Sequence, residues 1–207
     1  MKIKYGFIYL MFILLIINIA NSYSQKRDYL NKEIVLFFPS TQTDVMKGFT
    51  NNWYSNQLTS MKEPVIFNKL GVFIFRYTNL GIKPYTIRIE LKKEKVLLDY
   101  KKTNGDGSYA VVGKIIKKKH KVLPISVWYD LLEKVDSCKF WTMSSFKNSI
   151  TMKDGSYSFN LIMDGTEWVL EGNCSDNYHF VSRNTPENHG DERFAALCNY
   201  MESLIEK

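Results

Sequence analysis

The chain is poor in the residues from which reactive sites are built, with three histidines and three cysteines in 207 residues. His120, His179 and His189 lie far apart, and neither Cys-x-x-Cys nor His-Glu-x-x-His, the close ligand pairs of zinc sites, occurs. No metal and no other cofactor is expected. The Gly-x-Ser-x-Gly turn that exposes a hydrolase serine is also missing. "NGDGS" at 104–108 has the glycines of a phosphate-binding loop without its lysine, and reads as a solvated turn.

What is present is ordinary globular material, 45% hydrophobic, 24% charged and 14% aromatic, enough for one core in one domain. The first residues differ from the rest. Lys2 and Lys4 precede Tyr5 to Ala20, which carry no charge, and small and polar residues follow in "NIANSYSQ". That order is the one of a secretory signal peptide over residues 1–24. Cleavage after Ser24 fits the small-residue requirement best, with cleavage after Ser22 as the alternative. The apolar run is short against the roughly 20 residues of a spanning helix, and no cysteine follows it to take a lipid. An exported chain in the periplasm or outside the cell is expected, touching the membrane only during export.

Removing residues 1–24 takes away two lysines and no acid, lowering the formal net charge from +7 to +5. The excess is local. Between Lys92 and Lys121 ten lysines stand against Glu94, Asp99 and Asp106. On "KIIKKKHK", Lys117 and Lys119 share one face of a strand and Lys118 and His120 the other, either to deter unwanted edge pairing or to meet an anionic surface polymer. Few aromatics interleave the lysines and export removes the chain from nucleic acid, so none is expected as a partner. Cys138, Cys174 and Cys198 are odd in number, so at least one stays free or pairs outside the chain.

Residues 25–63 are polar and weakly periodic, an irregular or partly helical arm, with Ile34 to Phe38 as a short strand ended by Pro39. From Pro64 the period is two. Tyr85, Ile87, Ile89 and Leu91 share one face of a half-buried strand, "KVLLDY" repeats the pattern, and "NGDG" at 104–107 turns the chain into "SYAVVGKII". "VIFNKLGVFIFRYT" supplies one or two strands more. Helical spacing then appears at Val127, Leu131, Leu132 and Val135, with Ser126 as candidate cap, and again at Phe194, Leu197, Cys198, Met201, Leu204 and Ile205, with Asp191 as cap. The expected fold is α+β, an antiparallel sheet of six or seven strands with one face covered by helices near 126–138 and 191–205.

Between those helices, strands 156–163, 166–172 and 178–183 read as a meander. An Asp164-Gly165 turn sets Leu161 opposite Trp168, Phe159 opposite Leu170 and Tyr157 opposite Gly172. A five-residue loop from Asn173 to Asn177 then sets Leu170 opposite Phe180, Glu171 opposite His179 and Glu167 opposite Arg183. A loop shorter by one would turn His179 and Arg183 under the helices, so the longer loop is preferred. Glu167, Glu171, His179 and Arg183 then line an outward polar face beside Asn160, Val169 and Val181. Cross-strand ion pairs of about 0.2–1 kcal/mol each explain such a face structurally, and partner recognition is its functional reading. Lys117 and Lys119 on the basic hairpin complete the candidate binding residues.

Catalytic readings are weaker. Glu167 and Glu171, four apart on one strand, are about 13 Å apart, beyond the roughly 5–9.5 Å of a glycosidase pair. A Cys174/His179 nucleophile pair lacks a third group and an oxyanion donor. A binding or inhibitor-like module of the envelope, recognising a protein or an anionic surface polymer, is the first expectation, and a secreted hydrolase of unrecognised type the alternative.

The order Asp164, Gly165, Trp168, Glu171, Tyr178, His179, Arg183, Pro186 and Cys198, behind "PISVWYDLLEKVDSCKFW", resembles a family of uncharacterised bacterial proteins. Its members carry DG-x-x-W-x-L-E-G, then Y-H-x-x-x-R, a proline and a final helix with a cysteine. The resemblance spans roughly residues 80–207 and implies a shared fold with no established activity. Many members have Trp-Ser-Pro after the arginine, where this chain has Asn184-Thr185-Pro186.

Overall fold

Period-two segments and helical stripes fold into one sheet and its covers. The computed structural model describes residues 36–39, 48–146, 150–151, 157–158, 165–188 and 190–206. In chain order the elements are α1 (Gly48–Ser60), β1 (Phe73–Asn79), β2 (Tyr85–Lys92), β3 (Lys95–Thr103), β4 (Ile115–Leu123), α2 (Ile125–Cys138), the short pair β5 (Ile150–Thr151) and β6 (Tyr157–Ser158), β7 (Glu167–Cys174), β8 (Asn177–Asn184) and α3 (Glu192–Ser203). Six strands form an antiparallel sheet in the order β4-β3-β2-β1-β7-β8. The expected α+β architecture is the one found.

One face of the sheet is apolar and lies under α2 and α3. Trp128, Leu131 and Val135 of α2 and Phe194, Leu197, Cys198 and Met201 of α3 pack on Phe75, Tyr77, Ile87, Ile89, Leu98, Leu170 and Val181. Each fully buried side chain of this size contributes about 1.5–3 kcal/mol, so this layer supplies most of the driving force. Neither candidate cap caps. Pro124 occupies the N-cap position of α2, and Asp191, at that position of α3, makes no side-chain cap bond but accepts from Arg183 Nε at 3.2 Å.

The second face is not wet along its whole width. Phe37, Phe38, Tyr54, Leu58, Leu80, Val169 and Phe180 form a separate core beneath α1 and the 36–39 segment. The buried residues of α1 are Asn51, Tyr54, Ser55, Gln57 and Leu58, continued by Met61, and three of those five helical positions are polar. Those polar groups are used: the N–H of Phe37 donates to Ser55 Oγ at 3.0 Å, and Ser55 Oγ donates to Asn51 Oδ1 at 3.1 Å. The helix ends with Lys62 at φ 54°, the Lys62 N–H on Thr59 O and the Glu63 N–H on Leu58 O. This is a Schellman end built without glycine.

Four local expectations are corrected. Residues 36–39 form no strand; Phe37 and Phe38 are instead buried plugs. Residues 108–114 are a loop pinned to α1, with Trp53 Nε1 donating to Gly107 O at 2.8 Å and Gln57 Nε2 to Ser108 O at 2.7 Å. Tyr157 pairs with Thr151 rather than Gly172, because both sides of β7 are occupied by β1 and β8. Phe159 and Leu161 lie outside the described residues, as do Asn160 and His189. The β7–β8 turn is the two residues Ser175 and Asp176, both left-handed at φ 50° and 72°, as a primed hairpin turn requires.

Candidate functional site

The short β7–β8 turn shifts the strand register by one residue from the expected pairing. Glu171 therefore faces Phe180, Gly172 faces His179 and Trp168 faces Arg183. His179 and Arg183 sit on the helix-covered face and Glu167 and Glu171 on the other, so the expected four-residue cluster does not form. The physical reason lies in β1. It sets Arg76 opposite Glu171 and Tyr77 opposite Leu170, partners that lie far from β7 in the sequence.

Glu171 is fully buried. Arg76, also fully buried, donates to its Oε2 from Nε at 2.7 Å and from Nη2 at 2.5 Å, and Tyr178 donates to Oε1 at 3.0 Å. Arg76 Nη1 also donates to Pro64 O at 2.6 Å, and the guanidinium lies over the Phe37 ring. The charges continue across the sheet. Glu63 stands 3.9 Å from Arg76 and takes Arg88 Nε at 3.0 Å and Lys101 Nζ at 2.6 Å. Arg88 goes on to Glu90 at 3.0 Å and Asp99 at 2.6 Å, and Asp99 meets His120 at 2.9 Å. Burial pushes the Glu171 carboxyl above its ordinary range, while Arg76 and Tyr178 pull it back. Every acid and base in this ladder has a protein partner, which is the requirement for burying charge.

Glu167 belongs to a smaller group, accepting from Tyr54 OH at 3.0 Å and from Ser182 Oγ. Burial raises its carboxyl as well, partly offset by those hydroxyls. Ser182 is buried and Glu167 half-buried. On the opposite face His179 Nε2 donates to Met143 O at 3.0 Å, its ring edge-to-face with Phe140, and burial lowers its affinity for a proton. Arg183 donates to Ser144 O at 2.9 Å and to Ser145 O at 3.3 Å. Cys174 is pushed up to about 11 by burial, which removes the thiolate a nucleophile pair needs. All three thiols are free.

The lysine-rich hairpin is where charge reaches solvent. The β3–β4 register sets Lys101 opposite Lys118 and Lys102 opposite Lys117. Like charges directly opposite repel by a few tenths to about 1 kcal/mol per pair. Lys101 is relieved by Glu63 and Lys102 lies over the Tyr85 ring. Lys117 and Lys118 are exposed and form no ion pair among the described residues. Lys119 is committed elsewhere. Its Nζ donates to Ile205 O and Glu206 at 3.0 Å each, and Lys121 Nζ donates to Ile205 O at 2.6 Å, so both sit at the negative end of α3.

An open depression of about 570 Å³ lies at the opposite end of these strands, lined by Lys69, Phe73, Leu91, Lys92, Lys93 and Glu94 among others. Neither Glu167 nor Glu171 lines it. No group of three His, Cys, Asp or Glu among the described residues is placed to hold a metal, and no described helix is long and apolar enough to cross a membrane. The chain matches no protein-family model and no curated protein sequence.

Proposed function

We propose that this chain is an exported, non-catalytic binding module of the bacterial envelope that meets an anionic partner through the β3–β4 hairpin. The observation that carries the reading is the two pairs of facing lysines, Lys101–Lys118 and Lys102–Lys117, between β3 and the outermost strand β4. The sheet pairing holds these cations together against their repulsion, and an anion lying across them lowers that cost. The candidate residues Glu167, Glu171, His179 and Arg183 contribute by holding the sheet, each through hydrogen bonds to protein partners. Of the candidate lysines, Lys117 is the contact residue and Lys119 an anchor for α3. The hydrolase alternative finds its nearest support in Glu167, a half-buried carboxyl with a raised proton affinity, but that carboxyl is held by Tyr54 and Ser182.

The test is binding of soluble polyglutamate and of polyphosphate to the mature chain from Gln25 onward, titrated against salt. The reading expects binding that weakens steeply with salt, and a Lys102→Gln/Lys117→Gln/Lys118→Gln variant that folds but loses most of it. Binding that is absent, or equal in the variant, would end it.

A further inference from the structure

The two edges of the sheet are finished differently. At β8 the Ser182 N–H donates to Ser145 O at 2.8 Å, and Arg183 bonds the carbonyls of Ser144 and Ser145, so that segment closes the edge. At β4 no described strand lies outside, and pairing with β3 runs without irregularity from Lys117 to Leu123. An open, regular, proline-free edge is a template for one more strand. Its side chains restrict which strand is accepted. Lys117, Lys119 and Lys121 lie on one face and Lys118, His120 and Val122 on the other, with Val122 exposed at 62% and Ile116, at the bulge, exposed at 55%. A second copy of β4 would set lysine beside lysine and be refused, as would any basic strand.

We propose that β4 receives an extended acidic segment of a partner protein as a seventh strand. The proposal rests on the basic-hairpin reading and adds main-chain pairing to it. Lys119 and Lys121 stay tethered to α3, so the acid readers are Lys117 and Lys118. They are consecutive and point to opposite faces, so the complementary feature is a pair of consecutive acids, flanked by apolar residues that cover Ile116 and Val122. Main-chain hydrogen bonds supply the affinity, and the acids supply choice and encounter rate. A polysaccharide or polyphosphate shares the charge and lacks the strand-forming amides.

The probe is a synthetic valine- and glutamate-containing peptide as long as β4, with a central Glu-Glu pair. Two isomers of it are made, N-methylated on alternate residues of one edge or of the other. One isomer is expected to lose affinity at least about tenfold relative to its mirror set, because several main-chain bonds disappear together. The parent peptide is expected to slow amide hydrogen exchange along β4 but not β8. A Lys117→Glu/Lys118→Glu variant is expected to lose binding while keeping the native circular dichroism spectrum, and the Gln pair serves if the Glu pair does not fold. Equal binding of both isomers, or unchanged exchange at β4, overturns strand addition and leaves the basic-hairpin reading standing. Binding of polyphosphate without binding of the peptide does the same. If no polyanion binds, both readings fall.

Discussion

The two faces of the sheet are built on opposite principles. Under α2 and α3 the layer is largely apolar, and the polar side chains on it are answered locally, as His179 is by donating to Met143 O. Under α1 and Phe37–Phe38 the layer is half polar, and Arg76, Glu63 and Glu171 are buried there as a mutually satisfied set. The first face draws its stability from area removed from water. The second is held by geometry, since a buried charge is tolerable only while its partner stays in place.

The comparison can be broken most severely at Arg76. Arg76→Met leaves the buried Glu171 carboxylate without its cation and is expected to cost about 3–5 kcal/mol in urea denaturation. On the apolar face the sharpest probe is Gly172→Ala. The new methyl would come within 2.7 Å of Phe75 Cε1 and 2.9 Å of Phe140 Cε1, both in a packed layer. A loss of about 1–3 kcal/mol by the same measurement is expected from the overpacking.

Those two sites also mark what the sequence discloses. Gly172 and the strands around it sit where alternation places them, because Tyr85, Ile87, Ile89 and Leu91 announce a buried face and the helix stripes announce its cover. The six-strand sheet and both C-terminal helices were legible for that reason. α1 was not, because its buried residues are Asn51, Tyr54, Ser55, Gln57 and Leu58, and a polar residue that finds its partner in tertiary structure leaves no hydrophobic period. The β7–β8 register failed for a related reason. "CSDN" carries no Asn-Gly or Asp-Gly signal for a two-residue primed turn, and Arg76, 95 residues away, supplies the partner that allows Glu171 inward.

A smaller effect separates the basic hairpin from both faces. Lys118→Glu replaces a facing repulsion with Lys101 by an attraction and is expected to raise stability by about 0.2–1 kcal/mol while weakening polyanion binding. Stability and binding read on the same variant would then move in opposite directions, as expected where charge is kept for recognition.

The smallest expected effects are in pH dependence, and the two faces should differ in sign. Burial raises the Glu167 and Glu171 carboxyls above their ordinary value of 4.5, so the folded state holds their protons more tightly than the unfolded chain. That contribution is full below 4.5 and is lost as pH rises through the raised folded values. Burial lowers His179 below its ordinary 6.5, so its contribution is full above 6.5 and is lost as pH falls through the lowered value. Melting temperature followed against pH should flatten on the rising side in Glu167→Gln and on the falling side in His179→Gln, which keeps a donor for Met143 O.

The most direct test of the account is a double-mutant cycle across Arg76 and Glu171, read by denaturation. If the two form a buried pair, each single variant, Arg76→Met and Glu171→Leu, loses several kcal/mol, and the double variant loses far less than the sum. If instead Glu171 stands on a solvated face, both singles stay within about 0.5 kcal/mol of wild type and simply add. That outcome would contradict the register, the buried ladder and the assignment of recognition to the lysine edge together.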